Sequence, residues 1–264
     1  MKTVNIEQVK NWLMEAGEFI KESLTKTLEV KEKSNRKDLV TNIDEETQQF
    51  LIKKIQEVYP KDKILGEEQG YSTIDSLDGR IWIIDPIDGT MNFVIEQENF
   101  CIMLGIFEDG IGQLGFIYDV MRGELYWGGK ELGVYRNKEK LSAPDPVDLR
   151  DGLLGFNAYM YGENVHGAKA VANASMGIRV SGCAGLEMIA LLKGSHVGYI
   201  SNLAPWDYAP GMVLLESFGY QSTTLTGEAL SFDGREYFAA AMPENHQKIV
   251  AMFKENMTEK QRNE

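Results

Sequence analysis

Residues 82–90 read WIIDPIDGT and join an apolar run to two carboxylates that stand three residues apart. The apolar run predicts a buried strand. Pro86 has no backbone N–H to donate to a sheet, so we expect the strand to end there. Asp85 then lies at the carboxyl end of the strand, where α/β sheets bind their ligands, and Asp88 follows in a tight turn. The two carboxylates would be close enough to share a cation.

Two residues after the carboxylates favour phosphate binding. Gly89 lets the backbone approach a ligand closely, and Thr90 can open a helix whose free N–H groups suit an anion. The alternative is purely structural: the strand ends in an Asx-type turn, with Asp85 and Asp88 capping backbone groups.

Composition limits the classes of protein to consider. The chain has 264 residues, of which 43% are hydrophobic and 25% charged, as in soluble globular proteins of one large or two ordinary domains. Its net charge of -13 disfavours nucleic acid as a main partner, because a phosphodiester backbone would be repelled. A phosphate ligand would also need local cations, and bound metal ions are the obvious supply.

Nothing in the sequence marks a membrane or an oxidising compartment. The first residues, MKTVNIEQVK, lack the apolar segment of a signal peptide, and no apolar run approaches the ~20 residues of a membrane span. Cys101 and Cys183 lie far apart in sequence without metal-ligand spacing, which predicts reduced, semi-buried thiols in a cytoplasmic protein. The last residues, TEKQRNE, predict a frayed tail.

Hydrophobic spacing predicts an α/β protein with an α+β N-terminal half, 1–141, and an α/β C-terminal half, 142–264. The boundary near Leu141 is placed at the Pro- and Asp-rich stretch LSAPDPVDLRDG, which favours a linker. In the first half we expect a short strand at 64–65, an antiparallel meander over 100–134 with a hairpin turn at 108–110, and helices at about 6–28 and 45–58. In the second half, strands alternate with helices at about 163–175, 183–193, 207–218 and 243–257.

Further acidic residues are candidates for the same chemistry. Asp44 precedes the second helix and is either a plain N-cap or a functional carboxylate. Glu67 and Glu68 stand side by side in a Gly-flanked turn, where a cation would relieve their repulsion; an exposed acidic turn is the alternative. Asp207 starts a later helix and is either an N-cap or a metal ligand.

Convergence of Glu67, Asp85, Asp88 and Asp207 would make a site whose side-chain ligands are all oxygen. Such ligands favour Mg²⁺, Mn²⁺ or Ca²⁺ over Zn²⁺. Two such ions about 4 Å apart activate a water and stabilise the leaving oxygen of a phosphate ester. The sequence thus predicts metal-assisted hydrolysis of phosphate monoesters. It does not predict a catalytic triad, because no His accompanies a Ser or Cys nucleophile in a recognisable motif.

Four motifs together resemble the inositol monophosphatase family. They are DLVTNID at 38–44, GEE at 66–68, WIIDPIDGT at 82–90 and PWDYAPG at 205–211. The resemblance implies a layered αβαβα sandwich of the inositol monophosphatase and fructose-1,6-bisphosphatase type. It also implies Mg²⁺-dependent phosphomonoesterase activity on a small phosphorylated polyol or sugar such as inositol 1-phosphate, inhibition by millimolar Li⁺, and a homodimer.

The resemblance also implies roles for single residues. One metal would be held by Glu67, Asp85, Thr90 and the Ile87 carbonyl, and a second by Asp85, Asp88 and Asp207. A weaker third ion would involve Glu67, with Glu68 in or near the same shell. Asp44 with Thr90 would orient and deprotonate the attacking water. The SGCAG loop at 181–185 matches a substrate-lining loop, so the substrate-binding residues would be Asp88, Gly89, Thr90, Gly182, Cys183, Ala184 and Asp207.

One position departs from the family pattern and leaves the substrate open. Ile200 stands seven residues before Asp207, where animal members carry a Glu that contacts inositol hydroxyls; Ser201 and Asn202 are the candidate replacements. Related enzymes hydrolyse fructose 1,6-bisphosphate, the 2′-phosphate of NADP, or 3′-phosphoadenosine 5′-phosphate. A regulatory scaffold that binds another macromolecule is the alternative to an enzyme.

Overall fold

The WII run lies in a nine-residue strand that positions most of the candidate residues. The computed structural model describes residues 3–25, 29–32, 39–68 and 70–257. Within them, the α-helices are α1 (Ile6–Ser23), α2 (Asn42–Val58), α3 (Thr90–Ile95), α4 (Ala158–Gly162), α5 (Ala168–Asn173), α6 (Ala184–Leu192), α7 (Pro205–Ser217) and α8 (Pro243–Asn256). The strands are β1 (Val30–Glu32), β2 (Leu39–Thr41), β3 (Lys63–Gly66), β4 (Arg80–Asp88), β5 (Cys101–Glu108), β6 (Ile111–Asp119), β7 (Glu124–Gly129), β8 (Gly133–Arg136), β9 (Glu139–Lys140), β10 (Leu153–Phe156), β11 (Gly177–Arg179), β12 (Gly198–Leu203), β13 (Gln221–Thr224) and β14 (Glu236–Ala241).

The strands form two large sheets. The first has seven strands in chain order, β3 to β9, and is antiparallel except for the pair β3 and β4. It contains the predicted meander and its turn at 108–110. The second has five strands in the order β11-β10-β12-β14-β13, and β10 runs parallel to both of its neighbours. β1 and β2 form a separate antiparallel pair.

Alternating side chains bury both faces of each sheet. Trp82 and Ile84 share a core with α1 and α2, whereas Ile81 and Ile83 share a core with α6 and α7. In β14, residues 238 and 240 belong to that same central core, and residues 239 and 241 pack with α5 and α8. The layers are therefore helix, sheet, helix, sheet and helix, which confirms the predicted αβαβα sandwich.

Pro86 does not end its strand, so that prediction is wrong. β4 continues to Asp88, and its register with β5 shifts between Asp85, which pairs with Met103, and Asp88, which pairs with Cys101. Such a bulge accommodates proline because its position makes no ladder hydrogen bond. The tight turn expected at Asp88 is likewise absent, yet both carboxylates still lie at the carboxyl end of the strand.

Two helix starts differ from the prediction. α2 begins at Asn42 because Thr41 caps it, so Asp44 is the third helical residue of a capping box and not the N-cap. α7 begins at Pro205, and Asp207 is again the third helical residue. Both carboxylates nevertheless accept a backbone N–H at the start of their helix, so part of the structural alternative holds.

The predicted helix over 163–175 is broken. α4 ends at Gly162, a 3-10 turn follows, and α5 begins at Ala168. The break lies at Asn164, His166 and Gly167, whose φ angles are 52°, 51° and 81°. Positive φ angles are incompatible with a right-handed helix.

The domain boundary near Leu141 stays a prediction. The first sheet ends at Lys140, and residues 141–148 form no regular element. However, α6 and α7 pack on the first sheet, so the central core contains side chains from both halves of the chain. None of the described helices has the length and apolar character needed to span a membrane. The predicted end of the first helix beyond residue 25, Asp38 of the DLVTNID motif and the TEKQRNE tail lie outside the described residues.

Candidate active site

A pocket of about 580 Å³ opens between the two sheets, at the carboxyl end of β4. It brings together residues from distant parts of the sequence, as the convergence hypothesis requires. The predicted site residues that line it are Glu67, Asp85, Ile87, Asp88, Gly89, Thr90, Gly182, Cys183, Ala184, Ser201 and Asp207. A second cavity of about 650 Å³, between β13 and α8, contains none of the predicted site residues.

Asp85 lies at the floor of the pocket with only 1% of its surface exposed. Its Oδ1 accepts the Ile87 N–H at 3.1 Å, so the Asx-type bond of the structural alternative is present and engages that oxygen. Burial, followed by the charges of Glu67, Asp88 and Asp207, raises the pKa of Asp85 well above its ordinary value. A buried carboxylate among like charges is stabilised by a cation.

Asp88 is bound to the first residues of α6. Its Oδ1 accepts the Ala184 N–H at 3.0 Å, and its Oδ2 accepts the Gly185 N–H at 2.5 Å and the Cys183 thiol at 3.0 Å. A carboxylate is favoured at a helix N-terminus. Burial nevertheless raises the pKa of Asp88 to about 6. Asp88 therefore ties β4 to the SGCAG loop.

The two cysteines adjoin this contact. Cys101 and Cys183 are free thiols that pack in the same core although they are far apart in sequence. Both are buried rather than semi-buried, because β5 and the start of α6 pack together in the central core. Burial raises the pKa of both thiols, which keeps them protonated.

Asp44 is buried beside the pocket, and its partner Thr90 is partly buried. The Thr90 hydroxyl lies 3.0 Å from Asp44 Oδ1 and 3.1 Å from the Ile87 carbonyl oxygen. Asp44 Oδ2 accepts both the N–H and the hydroxyl of Thr41, which fixes the carboxylate. Burial raises the pKa of Asp44 to about 6, although these hydrogen bonds act in the opposite direction. Asp44 itself does not line the pocket, so it would act on a ligand through Thr90.

The Glu67-Glu68 turn is not an exposed acidic turn, so that alternative is wrong. Glu67 lines the pocket and is partly buried, and Glu68 is 4% exposed. Gln48 of α2 holds the turn: its Oε1 accepts the Glu68 N–H at 2.9 Å, and its Nε2 donates to the Glu68 carbonyl at 3.2 Å. Glu68 itself is not among the pocket-lining residues, unlike its neighbour.

Asp207 approaches from the second half of the chain. Its Oδ2 accepts the Ala204 N–H at 2.8 Å and lies 3.3 Å from Arg235 Nη1. Burial raises the pKa of Asp207 to about 7, against the lowering effect of Arg235. Since Glu67 and Asp88 also raise this pKa, the carboxylates from both halves lie close enough to repel each other.

Ile200 does not face the pocket. It is fully buried on the opposite face of β12, in the core with α5 and α8, whereas Ser201 lines the pocket. Successive side chains of a strand point to opposite faces. The apolar side chain at position 200 therefore does not line the pocket, and the pocket-facing side chains at this end of β12 are uncharged.

The donor set fits a hard divalent cation. The four predicted carboxylates all line the pocket and offer only oxygen, and their mutual effects on pKa indicate uncompensated negative charge. As the described side chains stand, no three carboxylates, thiols or imidazoles are grouped closely enough to form a ready-made metal site. The metal-ligand set stays a prediction.

Sequence reasoning missed the residues that hold the SGCAG loop. Asn92 of α3 donates to the carbonyls of Asn99 and Ser181 at 2.9 and 2.8 Å. Glu187 of α6 accepts the Ser181 N–H at 3.0 Å, and its second oxygen lies 2.9 Å from His196 Nδ1. The sequence did contain one signal for this role. Glu187 is the fourth residue of a helix that is otherwise apolar, and buried charged side chains are rare unless they are paired.

We expect Glu187→Ala to raise KM about tenfold with a smaller change in kcat, because the loop would lose one charge-assisted hydrogen bond. Glu187→Gln is the matched control, since its amide oxygen can still accept the Ser181 N–H. Steady-state kinetics on both variants, with thermal melting to verify folding, tests this role. An unchanged KM in the alanine variant would contradict it.

The sequence and the fold are both similar to those of known proteins. Residues 2–258 match the model of the inositol monophosphatase family. The inositol-1-monophosphatase of Bacillus subtilis (strain 168) is 44% identical over 248 residues, which cover 92% of this chain and 94% of the relative. The crystal structure of SaIMPase-II bound to 2′-AMP has a TM-score of 0.83 and 35% identity, covering 93% of this chain and 92% of its own. A crystal structure of an IMPase/NADP phosphatase with Mg²⁺ and phosphate has a TM-score of 0.86 and 29% identity, covering 93% of each chain.

Proposed function

Since the chain belongs to the inositol monophosphatase family and is thereby a phosphatase, we propose that it uses Mg²⁺ to hydrolyse a small phosphorylated polyol or sugar of the inositol 1-phosphate type. The observation that carries this proposal is the pocket itself. Carboxylates from β4, the turn after β3 and α7 line one cavity together with the Gly89-Thr90 step. Such a site binds a phosphate group only if cations neutralise the surrounding acids.

The roles of the metal-binding residues follow the four motifs. Glu67, Asp85 and the Ile87 carbonyl would hold one Mg²⁺, and Asp85, Asp88 and Asp207 a second; Mn²⁺ or Ca²⁺ are also suited to these oxygen ligands. A bound Mg²⁺ acidifies water and stabilises charge on the phosphate oxygens. We propose that two or three ions bind.

Thr90 and Asp44 would move the proton. The Thr90 hydroxyl donates toward Asp44 Oδ1 at 3.0 Å and keeps a lone pair for a water in the pocket. A water that passes its proton to the Thr90 oxygen would become the nucleophile, while the hydroxyl proton passes to Asp44. Thr41 holds the carboxylate in place for this step.

Gly89 and Thr90 would bind the phosphate through their backbone N–H groups. Gly89 has φ 90° and precedes α3, which leaves the first N–H groups of that helix without intrahelical partners. A Cβ at Gly89 would lie 3.1 Å from Cys183 Cβ and 3.3 Å from the Asn99 carbonyl oxygen. A larger residue would therefore crowd the loop that carries Gly182 and Cys183.

A nucleotide is the second candidate substrate. Its support is the uncharged end of β12, where Ser201 rather than a carboxylate faces the pocket, together with the relatives whose structures contain 2′-AMP or are described as NADP phosphatases. Fructose 1,6-bisphosphate and 3′-phosphoadenosine 5′-phosphate remain candidates of the same chemical kind. A purely regulatory scaffold is less well supported, because a non-catalytic protein needs no such buried cluster of acids.

A substrate panel tests both candidates. We expect phosphate release in Mg²⁺ from at least one of inositol 1-phosphate, fructose 1,6-bisphosphate, NADP and 3′-phosphoadenosine 5′-phosphate, and loss of that release in EDTA. Millimolar Li⁺ is expected to inhibit. Turnover that is unaffected by EDTA would refute the metal-dependent mechanism, and a clear preference for inositol 1-phosphate would remove the nucleotide candidate.

We also propose that the protein is a cytoplasmic homodimer. A homodimer is supported by exposed apolar side chains at the rim of the pocket, among them Met91, Tyr159 and Val180, which are 43%, 69% and 51% exposed. The net charge of -13 opposes a nucleic-acid partner. The two free cysteines are consistent with a reducing cytoplasm.

A further inference from the structure

The side of the pocket that faces the second sheet differs in chemistry from the acidic floor. We call it the far wall and define it as Asn157, Ser201, Asn202 and Arg235, all of which line the pocket. Asn157 caps α4, and its Nδ2 lies 3.4 Å from Ser201 Oγ. The far wall therefore offers neutral donors and acceptors with one cation, where the floor offers carboxylates.

Arg235 is the one cationic side chain among the described residues that line this pocket. It immediately precedes β14 and reaches across to the end of β12, where its Nη1 donates to the Asn202 carbonyl at 3.1 Å and lies 3.3 Å from Asp207 Oδ2. Both contacts use the same nitrogen. Nε and Nη2 donate to no other described residue, and the side chain is 58% exposed. The guanidinium thus keeps donors for a ligand.

Asn202 contributes its backbone to the far wall. Alternation along β12 places its side chain on the same face as Ile200, opposite to Ser201. Its carbonyl accepts Arg235 Nη1 at 3.1 Å, so the end of β12 positions the guanidinium.

Stability alone does not explain the position of Arg235. An ion pair with one half-exposed partner adds little stability. The pair with Asp207 also leaves the flat face and second edge of the guanidinium unused. Arginine is the side chain best suited to bind a phosphate or carboxylate with two parallel hydrogen bonds.

We propose that Arg235 is a specificity-determining residue, which binds a second anionic group on the alcohol side of the phosphate ester. This rests on the proposed phosphatase function and deepens it. The reacting phosphate lies over the acidic floor, and the rest of the substrate extends toward the far wall. The preferred substrates are then phosphomonoesters whose alcohol carries another phosphate, such as a nucleoside or sugar bisphosphate. Ser201 binds a neutral hydroxyl between the two anionic groups.

Two substrate pairs test this inference, each differing only in the second phosphate. They are adenosine 2′-phosphate with adenosine 2′,5′-bisphosphate, and fructose 1-phosphate with fructose 1,6-bisphosphate. The kcat/KM ratio of bisphosphate to monophosphate is measured in Mg²⁺ for the natural protein, Arg235→Gln, Arg235→Lys and Arg150→Gln. Arg150 is a matched control, because it is 80% exposed, pairs with Asp151 and does not line the pocket.

We expect at least one ratio to exceed one in the natural protein and to fall about tenfold in Arg235→Gln, as the loss of a charge-assisted pair predicts. Arg235→Lys should give an intermediate ratio and Arg150→Gln an unchanged one. Using a ratio cancels any effect of Arg235 on Asp207, because both substrates share the reacting site. Equal ratios in the natural protein and Arg235→Gln, for both pairs, overturn the inference.

A failure of the proposed function gives a different result. If none of the four esters releases phosphate, the phosphatase proposal fails for these substrates. The inference is then decided by calorimetric Kd values of the two nucleotides: a preference for the bisphosphate that Arg235→Gln removes supports it, and equal preferences overturn it.

Discussion

Replacing Asp88 by asparagine is expected to lower kcat about a thousandfold while the protein stays folded. Asp88 lies at the carboxyl end of β4 and would hold the second metal together with Asp85 and Asp207. The substitution removes one negative charge from that set. The asparagine oxygen can still accept the Ala184 N–H, but its NH₂ group would face the Gly185 N–H and the Cys183 thiol. The thiol sulfur can accept from the new NH₂ group, so the Gly185 N–H is the donor left unpaired. One unpaired donor costs about 1–3 kcal/mol, less than the stability of a typical domain.

Asp62→Asn is the matched control for this variant. Asp62 lies beside the opposite end of β4, where its Oδ2 accepts the Trp82 Nε1–H at 2.9 Å and lies 3.4 Å from Arg80 Nη1. The same chemical change there leaves the pocket untouched, so kcat should stay within about twofold of the natural value. Both variants are compared by phosphate release and by thermal melting. Near-normal turnover in a folded Asp88→Asn protein would remove Asp88 from the metal site.

Local sequence patterns predicted which helices and strands carry the site, but they predicted the ends of these elements less well. The WII run, the amphipathic first helix and the meander are regular elements because the spacing of their apolar residues matches a helix or strand that is buried on one face or on both. Pro86 was misread because a proline can stay in a strand at a bulge, and the position of a bulge depends on the partner strand. The break at 164–167 depends on positive φ angles. Gly167 is a strong sequence signal for such an angle, whereas Asn164 and His166 are weak ones.

The convergence of Asp207 on the β4 carboxylates could not be derived from spacing, because it depends on how α7 packs between the sheets. Only the combination of four motifs pointed to it. Residues that act through tertiary contacts were missed for the same reason. Arg235 enters the pocket because β14 pairs antiparallel with β12, which places the residue before β14 beside Asn202. The orientation of Ile200 follows from which face of β12 packs on α8, and a one-residue change of register would reverse it.

Mg²⁺ is expected to raise the melting temperature of the natural protein by about 5 °C when present at 100 times its Kd, through binding to the folded state alone. The physical reason is the group of buried carboxylates around Asp85, which repel one another until a cation is bound. Differential scanning fluorimetry with increasing MgCl₂ measures this shift, and NaCl at equal ionic strength controls for general screening.

Asp85→Asn gives a sharper test. The substitution should raise the melting temperature in the absence of metal and remove most of the further rise that Mg²⁺ causes. Without metal, the variant should melt above the natural protein, since a neutral amide replaces a buried carboxylate and can still accept the Ile87 N–H at the position of Oδ1. With saturating Mg²⁺, it should show little further shift and turnover should be lost, since Asp85 would contact both ions. Asp62→Asn should keep the full Mg²⁺ shift. If Asp85→Asn instead melts below the natural protein in EDTA and still gains 5 °C from Mg²⁺, the carboxylate serves only as the cap of its own turn and the metal lies elsewhere.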